Sequence, residues 1–187
     1  KELVNIDNYK LKNISRDYVK KLVDISNNSE RVTDKLPINF KWIGFIKLLL
    51  PNSKIVHCIR NPRDNCVSIF KSYFTDTSLS FAYDLGEISE FYKLYIDLMK
   101  HWQNTLPKFV ININYEKLIQ NPEKQIRNLI KSCNLSWNDK CLKFYNNKRA
   151  IKTASDTQAR KKIYKSSVNS WKNYEKYLRG VFKELPN

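Results

Sequence analysis

Hydrophobic and polar positions along this chain predict an alternation of short strands and helices. A short apolar run with β-branched residues, at 54–59, is typical of a buried strand. Alternating apolar and polar residues predict another strand at 109–115, and a short one is predicted at 31–35. Apolar residues at helical spacing follow two of these strands, at 39–50 and 65–74. Strand, helix, strand, helix is the order of a parallel sheet, so we expect an α/β fold.

The rest of the chain is predicted to be mainly helical. Apolar residues recur at helical spacing in five further segments, at 17–26, 85–106, 122–133, 138–146 and 167–182. Before the last of these helices lie residues 148–166, which are mostly polar and have no regular period. A loop of this length in a compact domain is usually functional or disordered.

The turn between the strand at 54–59 and its helix contains candidate chemistry. Arg60 ends the strand, and Ser68 lies two turns into the helix. A guanidinium fork and a hydroxyl at the C-terminal edge of a sheet are suited to holding one anion. The alternative is that Arg60 forms a salt bridge with Asp64 while Ser68 lies on a solvated helix face, and the local pattern favours neither.

Charge supports an anionic ligand or partner. The 187 residues are enough for one domain, and 34 Lys and Arg against 18 Asp and Glu give a formal net charge of +16. Residues 101–150 contain nine basic and three acidic residues, as do residues 151–187. The positive field therefore belongs to the C-terminal part of the chain. A solvated lysine surface is the alternative explanation for most of these lysines.

The cysteines form no metal-binding pattern. No CxxC pair occurs among the four, and only two histidines accompany them, so we expect no metal site. Cys58 and Cys66 lie in apolar runs and are expected to be buried. Cys133 and Cys141 either pair in an oxidising compartment or remain reduced, and we favour reduced thiols. Neither a signal peptide nor an apolar run near 18 residues is present, so we expect a cytoplasmic protein without a membrane span.

Four motifs, taken in order and spacing, resemble one family. The sequence contains only three glycines, none close to another, so it has no Gly-rich phosphate loop. Within residues 31–177 it resembles the sulfotransferases that use 3′-phosphoadenosine 5′-phosphosulfate (PAPS), especially tyrosylprotein-type enzymes and bacterial domains fused to tetratricopeptide repeats. The motifs are TDKLPINF at 33–40, LPNSKIVHCIRNPRDNCVS at 50–68, INYEKLIQNPE at 113–123, and RAIKTAS with IYKSSVNSW at 149–155 and 163–171.

The resemblance implies roles for individual residues. Arg60 and Ser68 match the pair that grips the nucleotide 3′-phosphate, and Tyr115 matches a tyrosine lining the nucleotide site. Lys35 matches the catalytic lysine that neutralises charge on the bridging oxygen, and Ser155 matches a serine supporting that lysine. Two further lysines lie in the basic loop that would cover the phosphates, namely Lys161 and Lys165.

Two departures from the family pattern limit what is expected of this chain. The 5′-phosphosulfate loop, of the Gly-x-x-Arg-Ser-Gly-Thr-Thr type, is missing together with its strand. The histidine that the small-molecule branch places two residues after the lysine is Pro37 here. No general base can therefore be named. We expect a single partial domain over residues 1–187: a P-loop-NTPase-like parallel sheet flanked by helices, without its N-terminal strand and Gly-rich loop.

Three functions remain open on these observations. The first is sulfuryl transfer from PAPS, without a metal, to a hydroxyl on a glycan, a peptide tyrosine or a small molecule. In that case an upstream segment or a partner would supply the Gly-rich loop. The second is a catalytically inactive relative that binds nucleotide or protein. The third, a nucleic-acid binder, rests on net charge alone, and since no RNA-binding signature is present we expect no nucleic-acid partner.

Overall fold

Seven α-helices and two strands make up most of the part of the chain that the structure describes. The structure is a computed structural model that describes residues 7–74, 77–147 and 160–185, with residues 77, 78 and 184 described by backbone only. The helices are α1 (Asn8–Ser26), α2 (Ile43–Leu49), α3 (Pro62–Phe70), α4 (Leu85–Thr105), α5 (Tyr115–Gln120), α6 (Pro122–Ser132) and α7 (Glu175–Glu184). The strands are β1 (Ile55–Ile59) and β2 (Val110–Asn114). Short 3₁₀ helices occur at Pro37–Trp42, Thr77–Tyr83, Asp139–Asn146 and Ser170–Tyr174.

The two strands pair in a small parallel sheet, so the fold is mixed α/β as predicted. Polar side chains and prolines set the helix starts beside this sheet. Asn61 caps α3 by accepting hydrogen bonds from the amides of Arg63 (3.0 Å) and Asp64 (3.2 Å). Pro62 occupies the first turn, where its missing N–H costs nothing. Asn114 caps α5 in the same way.

Contacts divide the chain into two compact units. The first unit contains the residues up to Ile55 together with Leu98–Phe109. Its buried residues include Ile43, Met99 and Phe109. The indole N–H of Trp102 donates to the Phe40 carbonyl at 2.8 Å, and this bond joins the end of α4 to the segment before α2.

The second unit contains Val56–Asp97 and the residues from Val110 onward. Its core joins α3, α4, α7 and the 3₁₀ helix at Ser170–Tyr174. The buried members of this core are Cys66, Val67, Ile88, Tyr92, Trp171, Phe182 and Leu185.

Three predictions about the strands are corrected. The strand predicted at residues 31–35 is wrong: the segment is not assigned as a strand, and all its side chains are exposed. It therefore has no buried face to hold it in a sheet. β1 forms as predicted, but burial alternates along it, and Val56 is 40% exposed because one face of β1 is uncovered. Cys58 lies on that face and is exposed, contrary to expectation, whereas Cys66 is buried as predicted.

The helices agree with the prediction more closely than the strands do, although several of them begin or end at other residues than predicted. α4 and α6 begin where predicted. The helix predicted at 39–50 is a 3₁₀ helix followed by α2, and the one predicted at 167–182 divides in the same way before α7. Tyr115 begins α5 instead of ending β2. Most of the predicted loop, residues 148–159, lies outside the described residues.

Candidate functional site

Arg60 is the first residue after β1, and its guanidinium is held from two sides. One terminal nitrogen donates to the Ser167 carbonyl at 2.9 Å. The guanidinium carbon lies 5.2 Å from the centroid of the Tyr115 ring, a cation–π distance. The Nε of Arg60 is buried and has no hydrogen-bond partner among the described residues. A buried N–H donor without a partner is costly, so this atom indicates a place for an acceptor.

Tyr115 and Ser167 contact each other as well as Arg60. Their hydroxyl oxygens lie 2.7 Å apart in a hydrogen bond. Glu116, the next residue of α5, accepts a hydrogen bond from the Asn61 amide at 2.8 Å. The start of α5 is therefore bonded to the turn after β1, and Ser167 bridges the two. Arg60, Tyr115 and Ser167 therefore lie together although they are far apart in the sequence.

A short segment following Lys165 lies against this turn, and we call residues 167–171 the strap. Asp64, which is only 1% exposed, accepts three hydrogen bonds from it. These come from the Asn169 amide (2.7 Å), the Ser170 hydroxyl (3.0 Å) and the Trp171 amide (2.9 Å). Asp64 thus bonds to the strap, and the alternative in which it forms a salt bridge with Arg60 is not what the structure shows.

The far end of the strap is also packed against α3. The Arg63 guanidinium lies 4.6 Å from the centroid of the Trp171 ring. Trp171 is buried and contacts Phe182 of α7 edge to face, with ring centroids 5.5 Å apart. The strap is therefore anchored in the core of the second unit.

A row of polar side chains joins β1, β2 and α4: His57 and Tyr95 are half-buried, and Asn112 is exposed. The Oδ1 of Asn112 can only accept, so the Nδ1–H of His57 donates to it, at 2.9 Å. The Nε2 of His57 then accepts from the Tyr95 hydroxyl. Burial lowers the pKa of His57 below its ordinary value, while the bond to Asn112 partly opposes that shift. Burial also raises the pKa of Tyr95 to about 12.

This row reaches the site through Tyr92. The Tyr92 ring packs edge to face on Tyr95, with centroids 5.2 Å apart, and its hydroxyl donates to the Arg60 carbonyl at 3.4 Å. A tyrosine hydroxyl is protonated at neutral pH and can donate, and burial raises the pKa of Tyr92 further above its ordinary value. The backbone of Arg60 is thus supported from α4 while its side chain contacts Tyr115 and the strap.

Comparison with known proteins agrees with the motifs around this site. A family model described as "Sulfotransferase family" matches residues 4–139. The chain belongs to the sulfotransferase family. It is 37% identical over 185 residues to an uncharacterized protein of Aquifex aeolicus (strain VF5), covering 98% of this chain and 24% of that protein. It is also 26% identical over 122 residues to Protein-tyrosine sulfotransferase A of Caenorhabditis elegans, covering 65% of this chain and 32% of that protein.

The chain thus spans about a quarter to a third of the length of these two relatives. In this sulfotransferase-family chain, Arg60 and Tyr115 are the two predicted site residues that the structure brings together. Ser68 is exposed on α3, and no contact links its hydroxyl to Arg60 among the described residues. Lys35 is exposed in the first unit, and Ser155 lies outside the described residues.

The predicted basic loop is described only in its last part. Lys161 and Lys165 are both exposed. Lys161, Lys162, Tyr164 and Ser166 line a cavity of about 360 Å³, immediately before the strap. Positive and hydroxyl-bearing side chains around one cavity are suited to an anionic ligand. Lys165 is not among its lining residues, although its carbonyl accepts from the Val168 amide at 3.0 Å.

Sequence reasoning missed two residues of the site, Ser167 and Asp64. Ser167 could have been found from the sequence, because it lies in the IYKSSVNSW motif, but the resemblance assigned it no role. The sequence pattern offers Asp64 only as the alternative salt-bridge partner of Arg60. Its burial depends on the strap, 105 residues later in the chain.

The described residues contain neither a cluster of metal-ligating side chains nor a helix that could cross a membrane. No group of three or more His, Cys, Asp and Glu side chains is placed to hold a metal ion within the described ranges. Among the helices described, none is both long and apolar enough to cross a membrane.

Proposed function

We propose that this chain forms the 3′-phosphate-binding part of a sulfotransferase that moves a sulfuryl group from PAPS to a hydroxyl acceptor. The proposal rests mainly on the environment of the Arg60 guanidinium. This guanidinium lies at a cation–π distance from the Tyr115 ring and donates once to Ser167, and its buried Nε has no partner among the described residues. A guanidinium has five N–H donors in a planar fork, so a phosphate fits the remaining donors. Ser68 would add a hydroxyl from α3.

The same proposal assigns roles that rest on the family resemblance. PAPS supplies an activated sulfuryl group when bound. Lys35 neutralises charge on the bridging oxygen during transfer, and Ser155 supports Lys35. Lys161 and Lys165 supply positive charge to the phosphates, and the cavity beside Lys161 supports that role.

The whole enzyme needs more than this sequence contains. The proposed arrangement is a P-loop-NTPase-like domain in which residues 1–187 are one part, and an upstream segment or partner adds a strand and a Gly-rich loop for the 5′-phosphosulfate. The acceptor is a hydroxyl on a glycan, a peptide tyrosine or a small molecule. The name of the Caenorhabditis elegans relative favours tyrosine among these.

Calorimetry with adenosine 3′,5′-bisphosphate tests the proposal. We expect the wild-type chain to bind, and Arg60→Ala to weaken binding about 10- to 100-fold, because charge-assisted hydrogen bonds contribute roughly 1.5–3 kcal/mol. Arg60→Lys should recover only part of the loss, since it keeps the charge but not the fork.

The matched control is Arg179→Ala. Arg179 is exposed on α7, so this variant removes the same charge without touching the site. It should bind as the wild type does. Absence of binding by the wild type at millimolar nucleotide, or equal losses in Arg60→Ala and Arg179→Ala, would refute the proposed site. Binding without turnover, even after the upstream sequence is restored, would favour the catalytically inactive module.

A further inference from the structure

Arg60 lies at the turn after β1, Asp64 lies four residues later in the first turn of α3, and the strap bonds to both. Arg60 donates to the carbonyl of Ser167 at the start of the strap. Asp64 accepts from Asn169, Ser170 and Trp171 at its end. The segment from Arg60 to Asp64 and the strap are therefore joined at two points. Because Ser167 also bonds Tyr115, the position of the strap determines where both sides of the Arg60 guanidinium are held.

We infer that Asp64 is a positioning residue for the 3′-phosphate site, acting through the strap on Arg60 and Tyr115. The inference rests on the proposed function of Arg60. Asp64 does not touch the nucleotide in this arrangement, since its carboxylate oxygens accept bonds from the strap. Its effect is to keep the Arg60 fork in one orientation, which determines where on the ribose a phosphate is accepted.

The bonding pattern explains why a carboxylate is needed. One oxygen of Asp64 accepts from the Asn169 amide, and the other accepts from both Ser170 and Trp171. All three partners are donors. An asparagine at this position has one accepting oxygen and one NH₂ group, so at least one strap donor would face another donor. Burial makes this mismatch costly, because water cannot replace the lost bond.

The backbone conformation of the strap adds to the need for a carboxylate at position 64. Asn169 has a φ of 61°, in the left-handed region, and it begins the 3₁₀ helix at Ser170–Tyr174 as its N-cap. Its own side chain makes no capping bond there. Asp64 therefore supplies, from α3, the acceptor that the first amides of this helix would otherwise lack. Without that acceptor, the strap loses the bonds that fix its direction beside Arg60.

Regioisomer selectivity separates positioning from mere stability. Adenosine 3′,5′-bisphosphate and adenosine 2′,5′-bisphosphate have the same charge and the same groups, with one phosphate moved by one ribose carbon. A fixed Arg60 fork distinguishes them, whereas a general loss of stability weakens both equally. We expect the wild type to prefer the 3′,5′ isomer by about tenfold, from one charge-assisted bond gained or lost.

Calorimetry of both isomers is to be performed on Asp64→Asn and Asp84→Asn. Asp84 accepts from the Glu87 amide at the start of α4, so Asp84→Asn makes the same chemical change at a helix start outside the strap. Asp64→Asn should lower the preference to about twofold or less, and Asp84→Asn should keep it. Ser170→Ala removes one of the three bonds and should give an intermediate preference, and it serves as the test if Asp64→Asn does not fold.

The outcomes distinguish the two proposals. A wild type that binds neither isomer refutes the proposed function and this inference with it. A wild type that binds both isomers equally, or Asp64→Asn and Ser170→Ala variants that keep the wild-type preference, overturns the positioning role alone. A lowered preference in both Asp64→Asn and Ser170→Ala, with Asp84→Asn unchanged, establishes it.

Discussion

At the residue scale, the protonation of His57 tests the hydrogen bonds that join His57 to Asn112 and Tyr95. Its two ring nitrogens are used by Asn112 and Tyr95, and the bond from Tyr95 requires an unprotonated Nε2. Burial lowers the pKa of His57 below 6.5, so the folded protein resists protonation more than the unfolded chain does. Below about pH 6.5 the unfolded state therefore binds more protons, and stability falls as the pH falls.

We predict that His57→Gln makes stability less dependent on pH. The free energy of unfolding, measured by urea titration between pH 7.5 and pH 5, should fall more steeply for the wild type than for this variant. The stabilising contribution is complete above pH 6.5 and is lost towards the lowered folded-state pKa. His101→Gln, at an exposed position on α4, is the control and should keep the wild-type slope. Identical slopes in all three proteins would contradict the prediction.

At the residue scale, the local sequence pattern predicted the position of Arg60 but not the contacts that Arg60 makes. Arg60 was predicted from a local strand–turn–helix pattern, and the structure places it at that turn. Its partners Tyr115 and Ser167 lie 55 and 107 positions away in the sequence. A local pattern contains no information about contacts at that distance, because pairing of β1 with β2 and docking of the strap determine them.

At the element scale, Gly44 in α2 and Gly180 in α7 differ in how much space surrounds them, because α2 packs closely on Trp102. A Cβ built on Gly44 would lie 2.8 Å from the Cη2 and Cζ3 atoms of Trp102, a distance at which something must move. The Trp102 indole is held by its bond to the Phe40 carbonyl and cannot move freely. On Gly180, in α7, a Cβ would meet nothing within 4 Å.

We predict opposite effects of alanine at these two positions. Gly44→Ala should destabilise the protein by about 1–3 kcal/mol, because overpacking outweighs the better helix propensity of alanine. Gly180→Ala should stabilise it by about 0.5–1 kcal/mol, since only the propensity changes. Chemical denaturation measures both changes. A stabilising Gly44→Ala would show that α2 does not pack this closely on Trp102.

Element prediction succeeded where burial is one-sided and periodic. α4 and α6 each have apolar residues at helical spacing, and both begin at the predicted residue. The segment at residues 31–35 contains one β-branched pair and was predicted as a strand, but it buries nothing. Strand formation depends on a neighbouring strand to bond with, and local propensity does not supply that neighbour.

For the whole molecule, the question is whether its net charge of +16 or one local site attracts an anion. Residues lining the cavity before the strap include Lys161 and Lys162. A pair of exposed lysines on α1, Lys20 and Lys21, carries the same charge and is not among the residues that line this cavity. At 0.15 M salt the screening length is about 8 Å, so charges well beyond that distance contribute little to binding.

We therefore predict that the Lys161→Ala/Lys162→Ala double variant weakens binding of adenosine 3′,5′-bisphosphate severalfold, while Lys20→Ala/Lys21→Ala does not. Titrations between 0.05 and 0.5 M NaCl should show a shallower salt dependence for the first variant, because two charges near the ligand are gone. Excess random single-stranded DNA at 0.15 M NaCl should not displace the nucleotide. Equal losses in the two double variants would show that the positive field acts as a whole. Displacement by DNA, combined with a steep salt dependence, would instead identify a nucleic-acid-binding surface.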